Sequence, residues 1–270
     1  MPVFVRNLAL EQYVEHDHLD QDRMNGMLQA ASWKPAGDAW YLTHQLPSGV
    51  RFVFHAIADG EEVRIVGTDT HLGGRCIWHA IPFFNATPKD ADELSAVVAC
   101  TNQAQDGVFV THLVNVALLV GLEAGQAVAM QMVAFPFYLE CFDSRASYEK
   151  SYQENREDSR FPMLLTDKRV FPLNFMLKHD PEIADEERNR TLPDDVVLCC
   201  GPVLAVREAP KSDPEQSSTF IVATIATQFG HLDVAFTPDM CLPAVCTKGS
   251  YLVCSAVLSG DVDLEDQPQR

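Results

Sequence analysis

The sequence contains few basic residues for its length. Its 270 residues include 20 Lys and Arg against 38 Asp and Glu, which gives a formal net charge of −18. Proteins that bind nucleic acid or anionic membranes need a basic face to neutralise phosphate groups. The densest basic group is the pair Lys168-Arg169, so we expect neither a membrane nor a nucleic acid as partner. The charge instead favours a protein partner that has a basic surface.

Long apolar runs and targeting segments are also missing. Residues 1–10 lack the apolar stretch that is typical of a secretory signal. The most apolar region, residues 107–139, is interrupted by Glu123, Gly125 and Gln126. Neither flank therefore reaches the ~20 residues that a membrane-spanning helix needs. These features predict a soluble, cytoplasmic protein.

Common catalytic and cofactor motifs are absent from the sequence. It contains no Walker loop and no GxGxxG, HExxH or GxSxG motif. Chemistry that depends on nucleoside triphosphates, dinucleotides, a helical zinc site or a nucleophilic serine elbow is therefore not indicated. We predict no cofactor and favour a non-catalytic protein.

Eight cysteines are present, none of them in a CxxC pair. Most lie among apolar residues, and the sequence shows no secretory segment, so we expect reduced, buried thiols. A zinc site around Cys241 and Cys246, with Cys199 and Cys200, is the alternative interpretation. The spacings are not those of the usual zinc motifs, and core thiols are favoured.

The apolar pattern indicates mainly strands. Residues 50–55, 62–67 and 75–81 are strand-like and are separated by Asp59-Gly60 and Gly73-Gly74. Such turn residues between strand-like runs predict an antiparallel meander.

Further along the chain, residues 127–141 predict a long, nearly uncharged strand in which Pro136 marks an edge or a bend. Residues 19–33 show helical spacing, with Asp20 or Asp22 as N-cap, and residues 144–160 predict an exposed helix.

The acidic stretch 178–195 is the clearest change in composition, and we place a linker there. It divides the chain into a mainly-β N-terminal domain with peripheral helices, residues 1–180, and a small OB-like β-barrel domain, residues 195–262. The second domain resembles OB-like domains in its pattern, which runs from Cys200-Gly201-Pro202-Val203 to Val257-Leu258-Ser259-Gly260.

A weak internal echo links the two predicted domains. Residues 125–142 and 249–260 both begin with a turn glycine and continue as a long apolar strand. The fold class that follows is mainly β with minor α, built from two barrel-like, OB-like or sandwich modules and a few helices.

Residues 67–79 hold the densest group of polar, ionisable and aromatic side chains. We predict a ligand site formed by Asp69, His71, Arg75 and Trp78. Arg75 suits a carboxylate or phosphate, and Trp78 would offer a stacking face. The alternative is a capped loop in which Arg75 pairs with a surface carboxylate.

Three residues of the same stretch, His71, Cys76 and His79, are weak candidates for zinc ligands, with Asp69 or His55 beside them. Side chains three residues apart on a strand point to opposite faces. Cys76 and His79 would not converge on one ion without a bulge, and we predict no metal.

The favoured function is a non-catalytic cytoplasmic binding or adaptor protein that acts through protein–protein contacts, as an acidic inhibitor or mimic. One alternative is an OB-type module that binds a nucleotide or single-stranded nucleic acid. Another is an atypical metal-dependent hydrolase that uses His55, His71, Cys76 or His79.

Overall fold

The computed structural model describes most of the chain. The described residues are 7–10, 13–15, 18–85, 94–156, 159, 161–173, 175, 195–211, 219–241 and 245–262. Strands dominate in two main sheets, of four and nine strands, with only two α-helices in the described residues. This confirms the predicted mainly-β class with minor α.

The first sheet is an antiparallel meander. Its strands are β3 (Ser32–Ala36), β4 (Ala39–Gln45), β5 (Val50–Asp59) and β6 (Glu62–Leu72). Gly60 adopts a φ of +67° between β5 and β6, a conformation that glycine reaches without steric cost. A short hairpin of β1 (Val14–Glu15) and β2 (His18–Leu19) precedes this sheet.

The meander ends at β6, in contrast to the prediction that residues 75–81 continue it. These residues belong to β7, which pairs in the other sheet. The chain crosses from one sheet to the other at Gly73-Gly74. Neighbouring side chains leave little space there for a Cβ atom. A Cβ on Gly74 would lie 2.6 Å from Oδ2 of Asp233.

The helices begin at side-chain caps. The helix α1 (Gln21–Gln29) begins after Asp20, whose carboxylate accepts a hydrogen bond of 2.9 Å from the backbone of Arg23. The helix α2 (Arg145–Glu154) begins after Ser144, which caps Ser147. No helix in the described ranges has the length and apolar character needed to cross a bilayer.

The second sheet contains nine strands. They are β7 (Ile77–Asn85), β8 (Ala96–Asn102), β9 (Val108–Leu113), β10 (Val128–Phe142), β11 (Val170–Phe171), β12 (Val196–Glu208), β13 (Ile221–Thr227), β14 (Gly230–Phe236) and β15 (Tyr251–Val262). A 3₁₀ turn, Val116–Leu119, lies between β9 and β10.

Two closed rings of five strands make up most of this sheet. The first ring runs β7-β8-β9-β15-β10 and closes on β7. The second runs β12-β13-β14-β10-β15 and closes on β12. The first half of the sheet consists of the meander β7-β8-β9 and a fourth strand, β10, and the second half consists of the meander β12-β13-β14 and a fourth strand, β15. Each fourth strand also belongs to the ring of the other half. β10 and β15 are thus equivalent elements.

Strands from both predicted domains therefore share one sheet. β10, from residues 1–180, pairs with β15, from residues 195–262, over most of its length. The predicted linker lies mostly outside the described residues, which leave out residues 176–194.

The four-stranded sheet is covered on both faces. Phe52 and Phe54 of β5 pack with Phe135 of β10 and Val222 of β13 in one apolar cluster. On the opposite face, the Tyr41 hydroxyl donates to the carbonyl of Leu94 at 2.6 Å. Burial on both faces explains why β5 reads as a nearly continuous apolar run.

Candidate functional site

A cleft of about 450 Å³ opens between the two sheets. Its lining includes side chains from β3 and β5, from the crossing that follows β6, from β10 and from the end of β15. The polar and charged members used below are Lys34, Arg51, Arg75, Asn115, Gln131 and Asp261. The cleft joins the predicted 67–79 site to the end of the chain's second predicted domain.

The lining of the cleft is basic. Lys34, Arg51 and Arg75 contribute three positive charges, and Asp261 is the one acidic side chain among the described lining residues. The cleft therefore has a formal surplus of two positive charges in a protein whose net charge is −18. A local positive field of this kind attracts anions even to an acidic protein.

Arg51 and Asp261 form the fixed part of the cleft. Nη1 of Arg51 lies 2.8 Å from Oδ2 of Asp261. Asn115 donates to the other carboxylate oxygen at 2.7 Å, and Gln45 accepts from Nε of Arg51 at 3.1 Å. Because its partners hold it on several sides, the Arg51 guanidinium is already oriented before a ligand arrives.

Gln131 links the crossing to the interior of the protein. Its side chain is buried, and its Nε2 donates to the carbonyl of Gly74. A hydrogen bond from Gln131 also raises the pKa of His71. Because its Oε1 is buried away from the surface, this oxygen faces the interior and not a ligand in the cleft.

His71 is fully buried. Its Nδ1 is 2.9 Å from the Ser259 hydroxyl, and a hydrogen bond with Gln131 raises its pKa. Burial lowers the pKa of His71 to about 4, although the charge of Asp261 acts in the opposite direction. His71 is therefore neutral at pH 7 and does not line the cleft.

Asp69 lies in a separate network, between two imidazoles. Its carboxylate is 3.1 Å from Nε2 of His112 and 3.4 Å from Nε2 of His55. Burial raises the pKa of Asp69, but the hydrogen bond from His112 and the charges of both imidazoles outweigh it and hold that pKa below its usual value. Burial lowers the pKa of His112, but the Asp69 carboxylate outweighs it and raises that pKa overall. This hydrogen-bonded network ties β6 to β9.

Trp78 is a core residue, which corrects its predicted role as a stacking surface. It is 1% exposed, and Nε1 donates to the carbonyl of His231 at 2.7 Å. The ring packs edge-on against Phe109 and tilted against Phe229. Of the four predicted ligand residues, the structure places Arg75 alone in the cleft.

The candidate zinc ligands do not converge. His71 and Cys76 are buried, whereas His79 is exposed on β7. Burial raises the pKa of the Cys76 thiol well above its ordinary value, as does Asp233. Within the described part of the chain, no group of three or more His, Cys, Asp or Glu side chains could hold a metal ion.

The cysteines are all free thiols in the structure. Six of the eight are buried, and Cys141 and Cys241 are partly exposed. The thiol of Cys141 shares hydrogen bonds with Cys241 and Cys246, which raise its pKa.

Sequence reasoning missed most of the cleft. Lys34, Arg51, Gln131 and Asp261 each lie in unremarkable strand sequence, and 210 residues separate Arg51 from Asp261. Comparison of the chain with protein-family models, with curated proteins and with solved structures gave no match.

Proposed function

We propose that the protein is a non-catalytic binding protein that takes a small anionic ligand in the cleft between the two sheets. The observation that carries this proposal is the basic lining of Lys34, Arg51 and Arg75 in a protein of strong negative charge. The volume of about 450 Å³ lies within the range of small-molecule sites.

Arg75 is the residue best placed to bind the anion. It is exposed, and it forms no ion pair with any described side chain. A guanidinium presents parallel donors that match both oxygens of a carboxylate or phosphate. Lys34 adds a second positive charge to the same lining.

The strand order of each ring supports the OB-type interpretation of the barrel. The burial of Trp78, however, removes the aromatic face that stacking of a base would use here. The proposal therefore favours small carboxylic acids and phosphate esters over oligonucleotides.

Calorimetric titration of the full chain tests this function. The ligands would be inorganic phosphate, citrate, a sugar phosphate and a nucleoside monophosphate. Loss of a charge-assisted hydrogen bond costs about 1.5–3 kcal/mol, so Arg75→Gln is expected to weaken binding at least roughly tenfold.

The matched control is Arg64→Gln. Arg64 is exposed on β6, contacts Asp59 and does not line the cleft, so its loss removes the same charge without changing the site. The proposal is wrong if the wild type binds none of these anions at millimolar concentration. Equal weakening by both variants would also overturn it, since that would reveal attraction by charge alone.

A second candidate function is the predicted one, protein–protein contact. Its support is an apolar groove of about 680 Å³ in which Phe83 is 53% exposed and Val120 is 84% exposed. Exposed apolar surface of this kind often marks an interaction site. A photo-reactive residue at position 120 is expected to cross-link one partner in the native host, while the same residue at position 63 is expected to cross-link none. Equal labelling from both positions would contradict it.

A further inference from the structure

A second cavity, of about 290 Å³, lies between β10 and α2. The side chains that matter in its lining are Tyr138, Glu140, Phe142, Tyr148, Tyr152 and Phe161. None of them lines the Arg75 cleft. Five of the six are aromatic, the sixth carries a carboxylate, and the small polar residues Ser151, Asn155 and Ser159 complete the described lining.

Two sequence periodicities bring these side chains together. Tyr138, Glu140 and Phe142 alternate along β10 and so share one face of the strand. Tyr148 and Tyr152 lie four residues apart on α2 and share one face of the helix. The strand face and the helix face meet at the cavity.

A bulge in β10 directs the strand face outward. Before the bulge, even-numbered residues such as Met132 and Ala134 belong to the core cluster of the rings. The pairing of β10 with β15 shifts register between Pro136 and Tyr138, and a bulge of one residue exchanges the two faces of a strand. Leu139 consequently joins the ring core, and Tyr138 turns to the cavity side.

The aromatic rings hold one another in place. The ring centroids of Phe142 and Tyr148 lie 5.2 Å apart, and those of Tyr138 and Phe161 lie 5.4 Å apart. The Tyr148 hydroxyl accepts a hydrogen bond of 3.0 Å from the backbone of Leu165. These contacts make the cavity a preformed feature with rings in fixed orientations.

The electrostatics of the cavity favour a cation. The faces of aromatic rings carry partial negative charge. Glu140 is the one charged side chain among the described lining residues, and its carboxylate accepts a hydrogen bond from Tyr138. The net charge of −18 further raises the local concentration of cations.

We propose that this cavity binds the quaternary ammonium group of a small choline-like molecule. Aromatic side chains with a nearby carboxylate attract such a group through its charge, while its methyl groups are weakly hydrated and pack against the rings. A metal ion would instead favour several carboxylate, imidazole or thiolate ligands, and no group of three or more such side chains gathers in the described part of the chain.

The test compares two probes of the same shape on the full-length protein. Choline carries a positive charge, and 3,3-dimethylbutan-1-ol is its neutral carbon analogue. Calorimetric titration is expected to show choline binding at least about tenfold more tightly than the alcohol, since only the charged probe gains the cation–π attraction. Equal affinities, or no binding of choline at 10 mM (about the weakest affinity of interest), would overturn the proposal.

Two substitutions on neighbouring elements locate the site. Glu140→Gln is expected to weaken choline binding by about 3- to 10-fold, and Tyr152→Leu by a similar factor. Glu149→Gln is the control, because Glu149 lies on α2, pairs with Arg145 and does not line the cavity. If Glu149→Gln weakens binding as much as Glu140→Gln, the proposal fails.

Arg75→Gln separates this inference from the proposed function. It is expected to leave choline affinity unchanged, because Arg75 lines only the other cleft. Circular dichroism of each variant shows that it is folded before titration. The aromatic site and the anion cleft can therefore each fail without the other.

Discussion

His71 places an imidazole in the core of the protein. Its Nδ1 lies 2.9 Å from the hydroxyl of Ser259, and Gln131 contributes a further hydrogen bond that raises the pKa of His71. Burial favours the neutral form of His71, so this imidazole resists protonation in the folded protein. Its neighbours are of both signs, since Asp261 raises the pKa of His71 and Arg51 lowers it.

This arrangement predicts a loss of stability in mild acid. The ordinary pKa of His71 is 6.5 and the folded value is about 4. Between these values the unfolded chain binds more protons, so the contribution of His71 falls as the pH drops from 6.5 toward 4, by up to about 3 kcal/mol. The raised pKa of His112 acts in the opposite sense, because its stabilisation is present below 6.5 and is lost as the pH rises through its folded pKa.

Urea unfolding of the wild type and of His71→Gln at pH 7 and pH 4.5 isolates the contribution of His71. We expect the wild type to lose stability relative to the variant as the pH falls, because the glutamine does not titrate. The same pH dependence in both proteins would show that His71 is protonated in the folded state as easily as in the unfolded state.

At this scale the sequence revealed little of the site. Arg75 was predictable because it follows two glycines in a polar stretch. The inward position of Trp78 was not predictable, because both faces of β7 carry apolar side chains, Ile77 and Ile81 on one face and Ala80 on the other. The roles of Asp261 and Gln131 could not be predicted from the sequence, because they depend on contacts with distant strands.

Among the elements, the bulge after Pro136 has the widest effect. Proline lacks an N–H, and the predicted bend there is where the register of β10 shifts. Strands β5 and β6 and the turn between them followed the sequence pattern closely, because local alternation and Asp59-Gly60 specify them. The sheet that residues 75–81 join could not be predicted, because a diglycine permits a crossing between sheets as readily as a hairpin turn.

Close approach of two strands predicts a sensitive glycine in β12. A Cβ on Gly201 would collide with the backbone carbonyl of Ala226. We expect Gly201→Ala to lower the free energy of unfolding by about 1–3 kcal/mol, since backbone must move to admit the methyl group. Urea denaturation measures the change.

Gly26 provides the matched control for that substitution. It lies within α1, and a Cβ there would meet no atom within 4 Å. Gly26→Ala is expected to stabilise the protein by about 0.5–1 kcal/mol because alanine favours the helix. A neutral Gly201→Ala would mean that β12 and β13 lie farther apart than described.

For the whole molecule, the exchange of β10 and β15 ties the two predicted domains together. The internal echo between 125–142 and 249–260 corresponds to these two strands. The sequence pattern therefore predicted a strand-rich fold, but it did not predict that β10 and β15 each pair with the other half of the sheet. No local pattern specifies which distant edge a strand will join.

The exchange predicts that neither half folds alone. Without β10, β14 loses its parallel partner and β15 loses one neighbour, which leaves sheet edges open. We expect a fragment of residues 195–270 to show no cooperative unfolding transition in urea, and likewise a fragment of residues 1–194. Mixing the two is expected to restore the transition.

A full-length chain cut at an inserted protease site near residue 188 is the control, and it should stay folded because all the strands of the described residues are still present. A cooperative transition in the isolated 195–270 fragment would contradict the expectation. It would show instead that the predicted C-terminal domain is autonomous.

Because β15 is part of the first ring, that ring cannot close during synthesis until β15 has been translated. The Thr111 hydroxyl in β9 donates to the carbonyl of Leu258, and 147 residues separate the two. At a synthesis rate of about 5–20 residues per second, β9 waits roughly 7–30 s for β15. Throughout that interval the first ring has an open edge and an uncovered interior while neighbouring ribosomes release similar chains. Open strand edges and exposed apolar surface promote aggregation, so the nascent first half is vulnerable until its partner strand has been translated.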